Sequence, residues 1–146
     1  MRYWDASAII PLLVAERRTS EHLALREEDP DLIVWWGTRV ECVSALARLD
    51  REGYLDALRL RNALRALDEL AAEWDEIQPV ESIRVSAEAL LLRHPLRAAD
   101  ALQLAAALVA TGAELTAVPF VCADDRLRLA AIREGLDVLP ESVVRE

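Results

Sequence analysis

The sequence predicts an α/β fold in which a short parallel sheet is covered by helices on both faces, a three-layer α/β/α sandwich. Three observations predict it. Short apolar runs at Tyr3-Trp4, 32–35 and 120–122 alternate with longer helical patterns, which is the alternation that builds a parallel sheet. The run at 32–35, Leu-Ile-Val-Trp, is apolar throughout, as a strand buried on both faces requires. The length, 146 residues, is that of one domain, and no repeat or linker divides it, so 1–146 reads as a single unit.

The first strand, around Tyr3-Trp4, runs into Asp5. Ser7 is placed to cap a helix reaching about residue 17, with Pro11 near its first turn, where a missing amide donor costs little. Thr19-Ser20 starts a second helix that stops before Asp29-Pro30. After the strand at 32–35, Gly37 breaks the chain. Thr38 with Glu41 three residues on then reads as a capping box opening a third helix. Val40, Val43, Leu46 and Leu49 give it an apolar stripe, and Gly53 turns it into a fourth helix over 55–74.

A weak strand at 76–80 precedes a helix over 82–92, which His94-Pro95 stops. The Ala/Leu run 97–110 is apolar nearly all round and predicts a buried helix. The strand 120–122 leads into Asp124-Asp125 and a helix over 125–134, with Gly135 as its stop. A last strand at 136–139 and a short polar tail close the chain.

With 53% hydrophobic and 29% charged residues, the chain is a globular one and not a disordered one. A net charge of −9 excludes nucleic-acid binding by the overall field; any such binding needs a local basic patch. All 17 basic residues are Arg. Mechanisms that need a catalytic or phosphate-binding Lys, such as a P-loop or a Schiff base, are therefore excluded. Cys42 and Cys122 have no CxxC partner, and with His22 and His94 scattered there is no zinc spacing. Isolated cysteines fit reduced thiols in the cytoplasm. Asp5 interrupts the N-terminus before a signal-peptide core forms, and the apolar run 104–110 is too short to span a bilayer, so no membrane association is expected.

Four acidic residues stand out by position: Asp5 at the end of the first strand, Asp124 after the strand 120–122, Glu41 in the first turn of the third helix, and Asp100 near the start of 97–110. In a parallel sheet, strand ends and the starts of the following helices share one edge. Taken singly, each has an ordinary structural role as a turn residue, a cap or a partner of the helix dipole. Asp100 is the hardest to explain that way, because it interrupts a helix that otherwise reads as core. Together, carboxylates on one edge repel and resist joint ionisation, a conflict that a divalent cation removes. Oxygen-only donors favour Mg²⁺ or Mn²⁺. Such an ion activates water and stabilises charge on a phosphoryl oxygen, so phosphodiester hydrolysis is the natural reaction class.

The pieces Tyr3-Trp4-Asp5-Ala6-Ser7-Ala8, Thr38-Arg39-Val40-Glu41-Cys42-Val43-Ser44-Ala45-Leu46, Leu96-Arg97-Ala98-Ala99-Asp100-Ala101-Leu102-Gln103-Leu104-Ala105 and Val121-Cys122-Ala123-Asp124-Asp125-Arg126-Leu127, in that order and with the closing Gly135-Leu136-Asp137-Val138, resemble a PIN-domain ribonuclease of the VapC toxin type. The resemblance covers nearly the whole chain. It implies a PIN-like sandwich with the first and fourth strands adjacent in the middle. It also implies a Mg²⁺-dependent RNA-cleaving site made of Asp5, Glu41, Asp100 and Asp124, supported by Ser7, with Asp125 as the neighbouring acid. It further implies homodimers, inhibition by a cognate antitoxin, and toxin–antitoxin assemblies of higher order. Two positions depart from the family pattern: Gln103 stands where His is frequent, and Cys122 where Thr is frequent.

The window 44–67 carries five arginines, Arg48, Arg51, Arg59, Arg61 and Arg65, against three acids. This local cation excess is a candidate contact surface for RNA or antitoxin; a solvated face with intrahelical pairs explains it equally well. Of the adjacent Trp35 and Trp36, one is expected in the core. Two other functions fit the same residues. One is a catalytically weak or inactive PIN-like module that binds RNA or protein. The other is a hydrolase of small phosphoesters, against which the absence of Lys and of a second Asp at position 7 argues.

Overall fold

The computed structural model describes residues 1–141. Its core is a five-stranded, all-parallel sheet of β1 (Arg2–Trp4), β2 (Leu32–Trp35), β3 (Asp75–Ile77), β4 (Phe120–Val121) and β5 (Val138–Leu139). The order is β3-β2-β1-β4-β5, so β1 and β4 are adjacent and β1 is central. Seven helices connect the strands among the described residues: α1 (Ala6–Leu13), α2 (Thr19–Glu28), α3 (Thr38–Arg51), α4 (Ala57–Ala71), α5 (Glu81–Arg93), α6 (Ala98–Thr111) and α7 (Asp125–Arg133). No helix among the described residues is long and apolar enough to cross a membrane.

The two-residue alternation of strands divides the core into two layers. Tyr3, Trp35 and Phe120 pack with Ile83, Leu90, Leu104 and Leu127, beneath α5, α6 and α7. Trp4, Leu32, Val34 and Val121 point the other way, against Ile9, Cys42, Leu67 and Leu70 of α1, α3 and α4. The helix after β1 therefore covers one face and the helix after β4 the other. Their starts diverge from the C-terminal ends of two neighbouring strands, and this is where open α/β sheets form a crevice.

Most elements lie where the sequence places them; the differences have local causes. Asp5, not Ser7, caps α1: its side chain accepts from the Ser7 backbone N–H, and Ser7 lies one residue inside the helix. The helix ends at Leu13, short of the expected residue 17, because Val14 turns extended; Thr19 Oγ1 donates to the Val14 carbonyl, and α2 starts at Thr19 as expected. Pro11 lies in the second turn, past the positions where a missing donor is free. α4 starts at Ala57 because Asp56 takes the cap position, its carboxylate accepting from Arg59 N at 2.8 Å. β3 forms at 75–77, earlier than expected at 76–80, since only Asp75, Glu76 and Ile77 find partners on β2. The last strand is two residues long, and of the expected polar tail the positions 142–146 lie outside the described residues.

The capping box expected at Thr38 and Glu41 is absent. Gly37 holds the cap position without any side-chain bond, and the hydroxyl of Thr38 and the carboxylate of Glu41 both bind Gln103 instead. Gly37 is required there for space: a Cβ would fall 2.5 Å from Trp35 Nε1. Trp35 is buried and Trp36 is half exposed, matching the expectation that one of the two enters the core.

Candidate active site

Asp5 follows β1 immediately. Its backbone N–H still pairs with the Val121 carbonyl of β4 at 2.9 Å, which fixes where its side chain leaves the sheet. Its Oδ2 accepts from Ser7 N at 3.1 Å, from Ser7 Oγ and from Cys122 Sγ at 3.7 Å. Among the described residues Oδ1 accepts no hydrogen bond. Ser7 Oγ accepts from Ala123 N at 2.9 Å, and Arg18 donates to the Ala123 carbonyl at 2.7 Å. Ala123, the residue before Asp124, is thus held at both its N–H and its carbonyl, which ties the two strand-end acids into one frame. Asp124 itself caps α7 through Leu127 N at 2.9 Å and is exposed.

Glu41 comes from the first turn of α3 and Asp100 from the first turn of α6, where its Oδ2 accepts from Arg97 N at 3.4 Å. Asp5, Glu41, Asp100 and Asp124 line one open cleft of about 1070 Å³, together with Ser7 and Asp125. All six expected residues thus line the same cleft. Asp125 is the first residue of α7 and is exposed at the mouth.

The basic residues divide differently from the expectation. Arg48 lines the cleft, whereas Arg51, Arg59, Arg61 and Arg65 lie elsewhere on α3 and α4. Two arginines missed in the sequence, Arg97 and Arg126, line it instead, and both act on Asp100 electrostatically. Their signal in the sequence is proximity: each stands within three residues of a candidate acid. The charge excess of 44–67 is a property of one contiguous window, whereas the fold gathers cations from three helices.

The electrostatics record the crowding. Burial raises Asp5 to about 6; hydrogen bonds from Ser7 oppose the rise, and Asp100 and Asp124 add to it. Burial first, then the nearby charges of Asp5 and Asp100, lifts Glu41 to about 7 against the hydrogen bond from Gln103. Asp100 is raised by burial and by Asp124, while Arg97 and Arg126 pull it back. Burial pushes the Cys122 thiol far up, so it stays neutral beside Asp5. At neutral pH the cleft holds more negative charge than it can settle internally.

Among the described residues, no three His, Cys, Asp or Glu side chains stand close enough together to hold a metal ion. The arrangement is an open one, carboxylates facing each other across a cleft. Its donor chemistry fits a hard cation that keeps most of its water and takes only one or two carboxylates directly, as Mg²⁺ does. The unused Oδ1 of Asp5 and the repulsion among the acids point the same way.

No family model matches the sequence, and no curated protein sequence matches it. Solved structures do. PAE2754 from Pyrobaculum aerophilum superposes with a TM-score of 0.63 at 19% identity, over 94% of this chain and 89% of that one. FitAcB from Neisseria gonorrhoeae superposes with a TM-score of 0.65 at 16% identity, over 94% and 96%. The chain has a PIN-like fold. At such identities the likeness speaks to architecture alone. Within the PIN-like sandwich, the acid-lined cleft lies at the crevice between β1 and β4, on the edge where open sheets carry their sites.

Proposed function

We propose that this chain is a Mg²⁺- or Mn²⁺-dependent endoribonuclease, acting in the cytoplasm as the toxin of a toxin–antitoxin pair. One observation carries the enzymatic part: Asp5, Glu41, Asp100 and Asp124, drawn from four separate parts of the chain, line a single open cleft. The PIN-like fold and the motif order of the VapC-type resemblance support the biological part. A cognate antitoxin and a homodimer belong to the same reading.

Asp5, with Glu41, Asp100 and Asp124 around it, would hold the cation. When bound, the cation supplies an activated water and charge neutralisation at the phosphoryl oxygens. The chain's own groups do the rest. Ser7 holds Oδ2 of Asp5, while Oδ1 accepts no hydrogen bond among the described residues. Arg48, Arg97 and Arg126 give the cleft walls cations that can bind phosphate bidentately, offsetting the overall charge of −9. No His lines the cleft and the chain has no Lys, so a mechanism using the RNA 2′-hydroxyl with such a base lacks its groups.

The test is cleavage of a fluorescent RNA by the purified protein, with Mg²⁺ and with chelator, beside Asp5→Asn. Cleavage is expected only for wild type with Mg²⁺. Equal cleavage by the variant would assign the activity elsewhere. An inactive but RNA-binding wild type would favour the binding-module reading, for which the unusual Gln103 and Cys122 speak.

A further inference from the structure

Gln103 is wholly enclosed in the middle of α6, yet it is polar, and its amide is used by two other elements. Tyr3 Oη on β1 donates to Gln103 Oε1 at 2.7 Å. Gln103 Nε2 donates to Thr38 Oγ1 at 2.9 Å and to Glu41 Oε1 at 3.1 Å, both on α3. A carboxamide has one accepting end and one end with two donors. The opposite orientation would set its oxygen against the Glu41 carboxylate. By donating to Oε1, the phenol of Tyr3 keeps the NH₂ end turned toward α3. The bond engages one oxygen of Glu41; the other, Oε2, accepts no hydrogen bond among the described residues.

Plain packing does not need these groups. Leu or Met would fill the space of Gln103. A Phe at position 3 would keep the ring contact with Phe120, whose centroid lies 5.5 Å away. What the amide and phenol add is direction. They also join α6 to α3, helices on opposite faces of the sheet, at the edge where the cleft opens.

We infer that Tyr3 and Gln103 are positioning residues for Glu41: Tyr3 sets the orientation of Gln103, and Gln103 fixes the Glu41 carboxylate so that Oε2 faces the cleft and a divalent cation held there. The inference rests on the metal-site reading above. It assigns a role to a phenol that does not itself line the cleft, and to the residue at which the motif departs from the family pattern.

The experiment is calorimetric titration of Mn²⁺ into wild type, Tyr3→Phe and Gln103→Met, with urea denaturation of each. Loss of such an outer hydrogen bond typically weakens metal affinity by ~10- to 100-fold. Gln103→Met is expected to fall in that range and Tyr3→Phe at its lower end, with both variants folded. A purely structural role would lower the denaturation midpoint and leave Mn²⁺ affinity unchanged in both, which overturns the inference. Should Gln103→Met fail to fold, Tyr3→Phe, nearly isosteric, decides alone. A wild type that binds no Mn²⁺ overturns the metal reading and the inference with it; a wild type that binds beside unaffected variants overturns only the inference.

Discussion

Ser7 binds Asp5 twice through one oxygen: its backbone N–H, at 3.1 Å, and its hydroxyl both donate to Oδ2. The same hydroxyl accepts from Ala123 N at 2.9 Å, so one side chain links the end of β1 to the loop that carries Asp124. Ser7→Ala removes the hydroxyl's bonds with Asp5, Ala123 and Cys122 Sγ and keeps the backbone one. The Ala123 N–H loses its partner, and stability is expected to fall by about 1–2 kcal/mol. RNA cleavage is expected to fall by ~10-fold or more, because Asp5 is no longer clamped. Urea denaturation and a cleavage time course check the two effects separately.

Glu41 titrates in the folded chain at about 7, against an ordinary value of 4.5. A carboxylate raised on folding contributes stability that is fully present below its unfolded value and lost as pH rises through the folded one. Glu41→Gln removes that loss. In chelator, the variant is expected to match wild type near pH 5 and to exceed it at pH 8. A tenfold change in proton affinity is worth about 1.4 kcal/mol. Because Glu41 is only partly buried, solvent screening reduces the gain to about 1–2 kcal/mol. Denaturation midpoints at the two pH values measure it, and added Mg²⁺ is expected to narrow the gap at pH 8 by stabilising wild type more than the variant.

Arg48, Arg97 and Arg126 line the cleft, whereas Arg59, Arg61 and Arg65 stand on α4, away from it. Replacing any of the first three by Ala is expected to weaken binding of a single-stranded RNA. The slope of log affinity against log salt is expected to fall by ~0.7 for each phosphate that is no longer neutralised. Replacing the second three is expected to change that slope little. Fluorescence anisotropy in Ca²⁺, over a range of salt, checks both sets.

Gly37 has no room for a side chain beside the Trp35 indole. Gly37→Ala must displace either a buried Trp or the first turn of α3, which carries both Thr38 and Glu41. A cost of about 1–3 kcal/mol is expected, together with loss of cleavage beyond what that destabilisation explains. Thermal denaturation and cleavage rate, compared at one temperature, check it.

The sheet was legible because Leu32, Ile33, Val34 and Trp35 leave no polar position, and because each apolar run is followed by a helical pattern. The acids of the candidate site stood out because Asp5 and Asp124 follow strands and Asp100 breaks an apolar helix. What was not legible depends on long-range partners. Thr38 and Glu41 match a capping box by spacing, but Gln103, 62 residues from Glu41 along the chain, binds both side chains. Asp5 outcompetes Ser7 as the helix cap because the pairing of its N–H with Val121 ends the strand there. Arg97 and Arg126 join Arg48 only when α3, α6 and α7 start from one edge.

The central claim is that a water molecule, activated in the carboxylate cleft, attacks the RNA phosphodiester. Cleavage in ¹⁸O-labelled water, followed by mass spectrometry of the new termini, tests it most directly. One ¹⁸O in the terminal phosphate of each cut, and no 2′,3′-cyclic phosphate, is the predicted result. A cyclic phosphate formed first, with ¹⁸O entering only on its later opening, would contradict it.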